Sequence, residues 1–291
     1  MKISSPSLVQ VATSDNIYLQ GYFVSGKGSK AILHIHGFEG NFYENKFVQL
    51  LAERSKAENL SFLTVNTRGS EKIKDFNTTD EKITTIGARY ELIEDCHIDI
   101  GAWVRFLLEK GYKDIILSGH SLGTYKVVRY LLTGRNKDSI KKLILLAPFD
   151  KKAGLEIYTK KPLEETLKSA QKMVDSGRGE EMVTDEFDSI VLSYKTYVSW
   201  YSQDEFGRMF EFSNKNYDFP VLKKINVPTK IIVGSKDEYF YPTNPEHPKE
   251  AMDILLKNIP NSTGKIIDGA VHSFAPHQDI MVDEAIEFIK K

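Results

Sequence analysis

The feature that most constrains the fold is a pentapeptide, Gly119-His120-Ser121-Leu122-Gly123, that lies between two regular patterns. The apolar run before it, Ile115-Ile116-Leu117, predicts a buried strand, and the run from Tyr125 to Leu132 predicts a helix. Glycines at both ends of the pentapeptide let strand and helix approach closely, and they let the turn hold Ser121 in a strained backbone conformation. The pattern therefore predicts one serine hydroxyl at the apex of a sharp strand-to-helix turn.

Length and charge narrow the class of protein. A chain of 291 residues can bury a large core, as one large domain or two small ones. Its 39 basic and 40 acidic residues nearly cancel, so we expect neither nucleic acid nor an anionic membrane surface as a partner. The sequence leaves the oligomeric state open, with a homodimer among the options.

The cysteine content and the apolar runs bear on location. One cysteine, Cys96, excludes an intramolecular disulfide, which fits a reducing compartment. The first residues lack the apolar stretch of a signal peptide, and no apolar run approaches the length that spans a bilayer. We therefore expect a cytoplasmic protein without membrane insertion.

Strand and helix patterns alternate along most of the chain. Residues 7–24 read as a β-hairpin, and later runs such as Ala31 to His36 and Lys142 to Pro148 read as buried strands. Helix patterns separate these runs, and the strongest covers Glu91 to Lys110. This alternation predicts an α/β fold with a mostly parallel sheet and helices on both faces, whose reactive groups lie at the carboxyl ends of strands.

From Phe149 the pattern changes. Up to about residue 222 it shows helical segments, from Leu163 to Asp175 and from Asp188 to Tyr201, and no convincing buried strand. The strand pattern then resumes near Val227. We therefore predict a core formed by residues 1–148 and 223–291, with residues 149–222 inserted as a helical cap.

A serine hydroxyl is a poor nucleophile at neutral pH, so Ser121 needs a base, usually a histidine. Of seven histidines, His272 follows a predicted strand near the end of the chain and precedes the last helix. His247, which lies between two prolines, is the competing candidate. Chain order in serine–aspartate–histidine sites of this type favours His272.

The base in turn needs a carboxylate that fixes its orientation. Asp237 and Asp150 both follow predicted strands, and both come between Ser121 and His272. We favour Asp237, because its strand is the neighbour in sequence of the strand that leads to His272. Asp268 is interpreted as a turn residue.

Acyl transfer also requires donors for a developing oxyanion. One is expected from the backbone N–H of Leu122, directly after the serine. The loop His36-Gly37-Phe38-Glu39-Gly40 offers a second, the N–H of Phe38, because its glycines allow close approach of the backbone.

Taken together, His36-Gly37, the pentapeptide, Gly234 to Asp237 and Gly269 to His272 resemble the α/β-hydrolase superfamily in the same order. The resemblance covers nearly the whole chain. It implies the α/β-hydrolase fold and a serine hydrolase with Ser121 as nucleophile, Asp237 as acid and His272 as base. Within the superfamily, the corner Thr67-Arg68-Gly69 and the segment Glu94-Asp95-Cys96 are weakly similar to cinnamoyl or feruloyl esterases and siderophore esterases.

These residues lead to the expectation of a serine esterase that cleaves a small carboxylic ester, acyl or aryl-acyl, through an acyl-enzyme, with no metal and no cofactor. A thioesterase, an acyltransferase or a C–C bond hydrolase could use the same residues. A ligand-binding protein of the same fold, without turnover, is the alternative from another class.

Other chemistry-bearing residues have simpler readings. His34 and His36 share one face of a strand without a legible set of further metal ligands, and Cys96 is expected to be a small core residue. Asp95 and Asp99 are attributed to the preference for acids in a first helical turn.

Two further groups belong to the predicted cap. The pairs Lys151-Lys152 and Lys160-Lys161 are expected on a solvated surface. Aromatic residues near the end of the cap would line a substrate pocket as readily as a cap core. The candidates for the pocket wall are Trp200, Tyr201 and Phe206.

Overall fold

The computed structural model describes residues 6–184 and 190–291. Its main element is an eight-stranded sheet with the order β1-β2-β4-β3-β7-β8-β9-β10. The strands are β1 Ser7–Ala12, β2 Tyr18–Val24, β3 Lys30–Ile35, β4 Ser61–Val65, β7 Asp114–His120, β8 Ile140–Leu146, β9 Thr229–Gly234 and β10 Ser262–Ile267.

The sheet is parallel except at one edge. β1 and β2 form the predicted antiparallel hairpin, and β2 pairs antiparallel with β4. Every other neighbouring pair, from β4 through β3 to β10, is parallel. The mostly parallel sheet predicted from the sequence is therefore confirmed, and the carboxyl ends of β3, β4, β7, β8, β9 and β10 meet along one edge.

Helices cover both faces of this sheet. They are α1 Lys46–Ala57, α2 Cys96–Glu109, α3 Leu122–Thr133, α4 Lys151–Thr159, α5 Leu163–Asp175, α6 Tyr194–Trp200, α7 Pro248–Asn258 and α8 Gln278–Lys290. Strand side chains alternate between two apolar clusters: Leu117 of β7 packs on the side of α2 and α3, and Ile116 packs on the side of α1 and α8. Burial on both faces explains why the central strands are continuously apolar.

Two segments differ from their predictions. Residues 70–86, whose polar sequence shows little periodicity and predicts a long loop, contain a two-stranded antiparallel ribbon formed by β5 Asp75–Asn77 and β6 Ile83–Thr85. Its strands have only three residues each, too short for a periodic pattern to be read. The helix expected from Glu91 begins as a short 3-10 turn at Ile93–Asp95, which runs directly into α2.

The described part of residues 149–222 holds α4, α5 and α6 and no strand of the main sheet. The predicted helix from Asp188 starts outside the described residues, and within its described part, residues 190–201, only Tyr194–Trp200 is helical, as α6. Among residues 6–184 and 190–291, the helices all lack the length and apolar character that crossing a membrane would require.

Candidate active site

Ser121 lies at the apex of the turn between β7 and α3, with φ 54° and ψ −122°. This positive φ is strained for a residue with a side chain. The flanking glycines are needed for close packing: a Cβ on Gly119 would come within 2.4 Å of the Gly123 carbonyl oxygen, and one on Gly123 within 2.5 Å of the Ile35 carbonyl oxygen. The sharp turn and the reason for its glycines are confirmed.

Ser121, His272 and Asp237 form a continuous hydrogen-bonded chain, called the Ser–His–Asp chain below. The Ser121 hydroxyl oxygen lies 2.8 Å from Nε2 of His272. Nδ1 of His272 lies 2.9 Å from both carboxylate oxygens of Asp237. With Nδ1–H donating to the carboxylate, Nε2 is free to accept the serine proton.

The carboxylate of Asp237 is buried and oriented by the backbone. It follows β9, and its Oδ1 accepts the N–H groups of Tyr239 at 3.0 Å and Phe240 at 3.2 Å. The loop that carries His272 packs directly against the end of β9: a Cβ on Gly234 would lie 2.1 Å from the Ala270 carbonyl oxygen. These contacts fix the distance between the acid and the histidine.

His120, the residue before the serine, supports the His272 loop from below. Its Nε2–H donates to the backbone oxygen of His272 at 3.0 Å. Its ring packs edge-on against Phe47 and lies beside Phe274. Burial and the nearby His272 lower the pKa of His120 to about 4, so the ring is neutral near pH 7. Sequence reasoning missed this residue, although it lies within the pentapeptide.

The predicted oxyanion donors lie beside the serine. Gly37, just before Phe38, is so close that a Cβ there would be 2.9 Å from the Cβ of Ser121. The N–H of Leu122 is the first of α3, where a helix leaves its donors unpaired. Within the described residues, the N–H of Phe38 forms no hydrogen bond to a backbone oxygen. The start of α3 and the loop that holds Gly37 and Phe38 thus both lie beside Ser121, and the role of their N–H groups stays a prediction.

The competing candidates have other tasks. Asp150 caps α4, since its carboxylate accepts the N–H of Ala153 at 3.0 Å and that of Ser213 at 2.8 Å. His247 is an exposed residue at the start of α7. The carboxylate of Asp268 accepts the hydroxyl of Ser235 at 3.1 Å, as suits a turn residue.

The three aromatic candidates occupy different places. Trp200, 1 % exposed, packs edge-on against Phe38 with ring centroids 4.9 Å apart. Tyr201 packs on Tyr197 and lines a small cavity on the side of Lys151. Phe206 lies under the guanidinium of Arg129, two helical turns beyond Ser121 on α3. Trp200 contacts the predicted oxyanion loop, so the prediction of a substrate-pocket wall rests on Trp200. The contact of Phe206 with Arg129 does not support that prediction.

Two aromatic residues outside the predicted set contact His272. The ring of Tyr239 lies 4.8 Å from that of His272, and the ring of Phe149 lies 6.3 Å from it. Both follow carboxyl ends of strands, which is the signal that sequence reasoning could have used for them.

The expectation of a solvated surface is wrong for Lys151, which is 6 % exposed. Its ammonium donates to the Trp200 carbonyl oxygen and lies over the ring of Tyr125 at 4.4 Å. Burial lowers its pKa to about 7. The lysine lies on the inner side of α4, where it packs against Tyr125 and the end of α6. Lys160 and Lys161 are exposed, as expected.

Asp95 and Asp99 have a stronger reason for their positions than helix polarity. Both bind Arg68 of the Thr67-Arg68-Gly69 corner, and Asp99, fully buried, accepts its side chain and its backbone N–H at 2.8–3.2 Å. The corner is thereby joined to α2.

The remaining candidates are held by protein contacts. Nδ1 of His34 lies 3.1 Å from the Ser118 hydroxyl, and Nε2 of His36 lies 3.1 Å from the Thr67 nitrogen. In the described part of the chain, no group of three or more histidine, cysteine or acidic side chains is placed to hold a metal ion. Cys96 is buried, as predicted, and burial raises its pKa to about 12.

Solved structures that resemble this one identify the class of fold. Est1E from Butyrivibrio proteoclasticus, solved with ferulic acid bound, is 19 % identical and superposes with a TM-score of 0.65 over 97 % of this chain and 100 % of its own. The α/β hydrolase GrgF from Penicillium sp. sh18 is 13 % identical, with a TM-score of 0.67 over 99 % and 98 %. The fold is that of the α/β hydrolases.

A third similar structure is the esterase Pf2001 from Pyrococcus furiosus, which is 17 % identical with a TM-score of 0.61 over 98 % of this chain and 90 % of its own. No curated protein matches the sequence significantly. A family described as "Protein of unknown function (DUF1749)" matches residues 92–290, about two thirds of the chain, and the chain belongs to that family.

Proposed function

We propose that this protein is a serine hydrolase that cleaves a carboxylic ester through an acyl-enzyme. The observation that carries the proposal is the Ser–His–Asp chain, with 2.8 Å between Ser121 and His272 and 2.9 Å between His272 and Asp237. Hydroxyl, imidazole and carboxylate in this order are the arrangement that activates a serine. The strained φ of Ser121 supports the proposal, because such strain concentrates at functional sites.

In the proposed reaction, Nε2 of His272 takes the proton of Ser121 while the hydroxyl oxygen attacks the ester carbonyl carbon. The N–H groups of Phe38 and Leu122 stabilise the oxyanion, and Asp237 stabilises the imidazolium. His272 then protonates the leaving oxygen, and the alcohol departs. Water, deprotonated by His272, attacks the acyl carbon, and the acid leaves as the serine regains its proton. No metal or cofactor takes part.

The proposed acyl group is apolar or aromatic. Phe149 and Tyr239 lie against His272, and Trp200 packs on Phe38 of the oxyanion loop. Aromatic surface of this kind favours acyl chains or aryl groups over charged ones. Residues 149–222 act as a cap in this proposal, since Trp200 at the end of α6 brings that segment against the oxyanion loop.

The test is labelling with a fluorophosphonate, together with hydrolysis of p-nitrophenyl esters of short, long and aromatic acids. We expect wild-type protein to be labelled and Ser121→Ala to be unlabelled. Ser29→Ala, which changes an exposed serine, is the matched control and should be labelled like wild type. A folded wild-type protein that neither reacts with the probe nor hydrolyses an ester would contradict the proposal and favour a ligand-binding role.

The leaving group separates the neighbouring reactions. p-Nitrophenyl esters and matched acyl thioesters can be compared at equal acyl length. Faster turnover of the ester supports the esterase, whereas a consistent preference for the thioester would move the assignment to a thioesterase.

A further inference from the structure

A buried ion pair lies next to the site without touching the reacting atoms. The ammonium of Lys126 is 2.7 Å from both carboxylate oxygens of Glu91, and the two residues are 0 % and 1 % exposed. A buried pair of this kind contributes little net stability, because desolvation offsets the attraction. The role of the ion pair must therefore be sought in the residues that it positions.

The pair leads by hydrogen bonds to the oxyanion loop. The Lys126 ammonium also donates to the Thr67 hydroxyl oxygen at 3.3 Å. The backbone N–H of Thr67 donates to Nε2 of His36 at 3.1 Å, and the Thr67 hydroxyl lies at the same distance from Nε2. Lys126 belongs to α3, the helix that begins directly after Ser121. One chain of contacts thus joins that helix to the loop opposite.

The tautomer of His36 follows from these contacts. Because Nε2 accepts the Thr67 N–H, the ring proton lies on Nδ1, which donates to the Gly37 carbonyl oxygen at 2.7 Å. Burial, and to a lesser extent the charge of Lys126, lower the pKa of His36 to about 3. The ring is therefore neutral, with one donor and one acceptor, and both are used.

The Gly37 carbonyl and the Phe38 N–H belong to the same peptide group. A trans peptide is planar, with its C=O and N–H pointing in opposite directions. Holding the carbonyl on the His36 side therefore fixes the direction of the N–H on the other side. This is the N–H that the proposed function assigns to the oxyanion.

The corner beside Thr67 is shaped to accept the carboxylate of Glu91. A Cβ on Gly69 would lie 2.0 Å from Oε2 and 2.6 Å from Oε1 of Glu91. The same corner is fastened to α2 through Arg68 and the buried Asp99. Thr67 is thus held from both sides, so the N–H that donates to His36 has a fixed position.

We propose that Glu91 and Lys126 are a positioning pair for the oxyanion peptide Gly37–Phe38, acting through Thr67 and His36. The inference rests on the proposed function for its effect on turnover. The orientation of the peptide can be measured without any substrate.

The decisive variant is Glu91→Gln with Lys126→Met, which removes both buried charges and nearly keeps the side-chain volumes. We expect kcat for the best p-nitrophenyl ester to fall about 10- to 100-fold with KM nearly unchanged, below the loss of about 10²- to 10³-fold for deleting a whole oxyanion donor. Amide hydrogen exchange should rise in a peptide that covers residues 36–41 and stay as in wild type in β7 and β8.

Thr67→Val is the second variant, because it removes the hydroxyl that links Lys126 to His36 and leaves the ion pair intact. It should also lower kcat and raise exchange at residues 36–41, by less than the double variant. The matched control is Glu284→Gln with Lys230→Met, which removes a partly buried pair, 2.8 Å apart, between β9 and α8. The control should change neither kcat nor exchange at residues 36–41.

The outcomes are separable. If either variant folds and keeps wild-type kcat and wild-type exchange at residues 36–41, the positioning role is wrong. If wild-type protein shows no labelling of Ser121 and no ester hydrolysis, the proposed function fails. In that case the exchange measurement alone decides whether the pair orders the loop.

Discussion

The two halves of the candidate site are built differently. On one side, Ser121, His272 and Asp237 come from the ends of β7, β10 and β9, and their side chains bond to each other directly. On the other side, the Gly37–Phe38 peptide offers a backbone N–H, whose direction depends on His36, Thr67 and a buried ion pair. Reactive side chains need only to meet, whereas a backbone donor needs a scaffold that holds its peptide plane.

The largest loss of activity is expected from substitutions in the half formed by side chains. Asp237→Asn should lower kcat by about 10⁴-fold, because the amide leaves His272 in the wrong tautomer. Ester hydrolysis under saturating substrate measures this loss. Asp150→Asn makes the same chemical change at the helix cap, where asparagine caps as well as aspartate, and should leave kcat unchanged. Turnover lost in Asp150→Asn and kept in Asp237→Asn would reverse the assignment of the acid.

Substitutions in the other half should act mainly on the free energy of unfolding. Lys126→Met alone leaves the buried carboxylate of Glu91 without its partner, which costs about 3–5 kcal/mol in the free energy of unfolding. Burial already raises the pKa of Glu91, so the loss should shrink as the pH falls and the carboxyl group is protonated. Urea unfolding at two pH values measures both effects. Adding Glu91→Gln should restore most of the stability, and a failure to do so would show that the cost has another origin.

Both halves contain buried neutral histidines. We therefore expect the free energy of unfolding to depend on these histidines at acidic pH. Burial lowers the pKa of His34 and His36 to about 3 and that of His120 to about 4. The unfolded chain, with histidine pKa values near 6.5, binds more protons below that pH. The free energy of unfolding should therefore fall as the pH drops from about 6.5 towards 4, by up to about 1.4 kcal/mol per histidine per pH unit.

Urea unfolding between about pH 6.5 and 5.5 tests this, below the pKa of about 7 of Lys151 and above the range where most carboxyl groups titrate. His34→Gln should reduce the slope by about a third, since one of three buried rings is removed. His247→Gln, at an exposed histidine, should leave the slope as in wild type. A stability that is constant over this range would mean that the three rings are not held neutral.

The smallest effect on the kinetic constants is expected from a substitution in the proposed cap, where it contacts the oxyanion loop. Trp200→Phe shortens the aromatic surface beside Phe38 and should raise KM for an aromatic ester a few-fold, with kcat nearly unchanged. Phe206→Leu, at a residue that packs on Arg129 in the far part of α3, should change neither constant. KM values for the aromatic ester and for a short-chain ester of the same alcohol distinguish a pocket wall from a general packing defect.

The same contrast explains what could be read from the sequence. The mostly parallel sheet and the turn at Ser121 follow from apolar periodicity and from glycines that are needed for close approach. His272 and Asp237 were found because reactive residue types follow strand ends. The contacts that join them are consistent with that choice, and their catalytic role is still a prediction.

Other features could not be read in this way. Lys126 is one of two charged residues, with Arg129, in the run from Leu122 to Leu132, and its partner Glu91 is remote in sequence. A buried ion pair leaves no periodic signature, because it depends on which distant segments meet. Lys151 was misplaced for a related reason, since the direction of a helix's first turn is set by tertiary packing.

The single cysteine gives this protein a practical property. Cys96 is fully buried, its thiol contacts the Lys126 carbonyl oxygen, and burial disfavours its reactive thiolate form. Wild-type protein should therefore be silent towards thiol-directed dyes. A cysteine introduced at an exposed position of α5, such as Lys168, would then be the one site that accepts a fluorophore or a spin label. The native chain is thus ready for spectroscopic tracking of the proposed cap, residues 149–222, without prior removal of a background thiol.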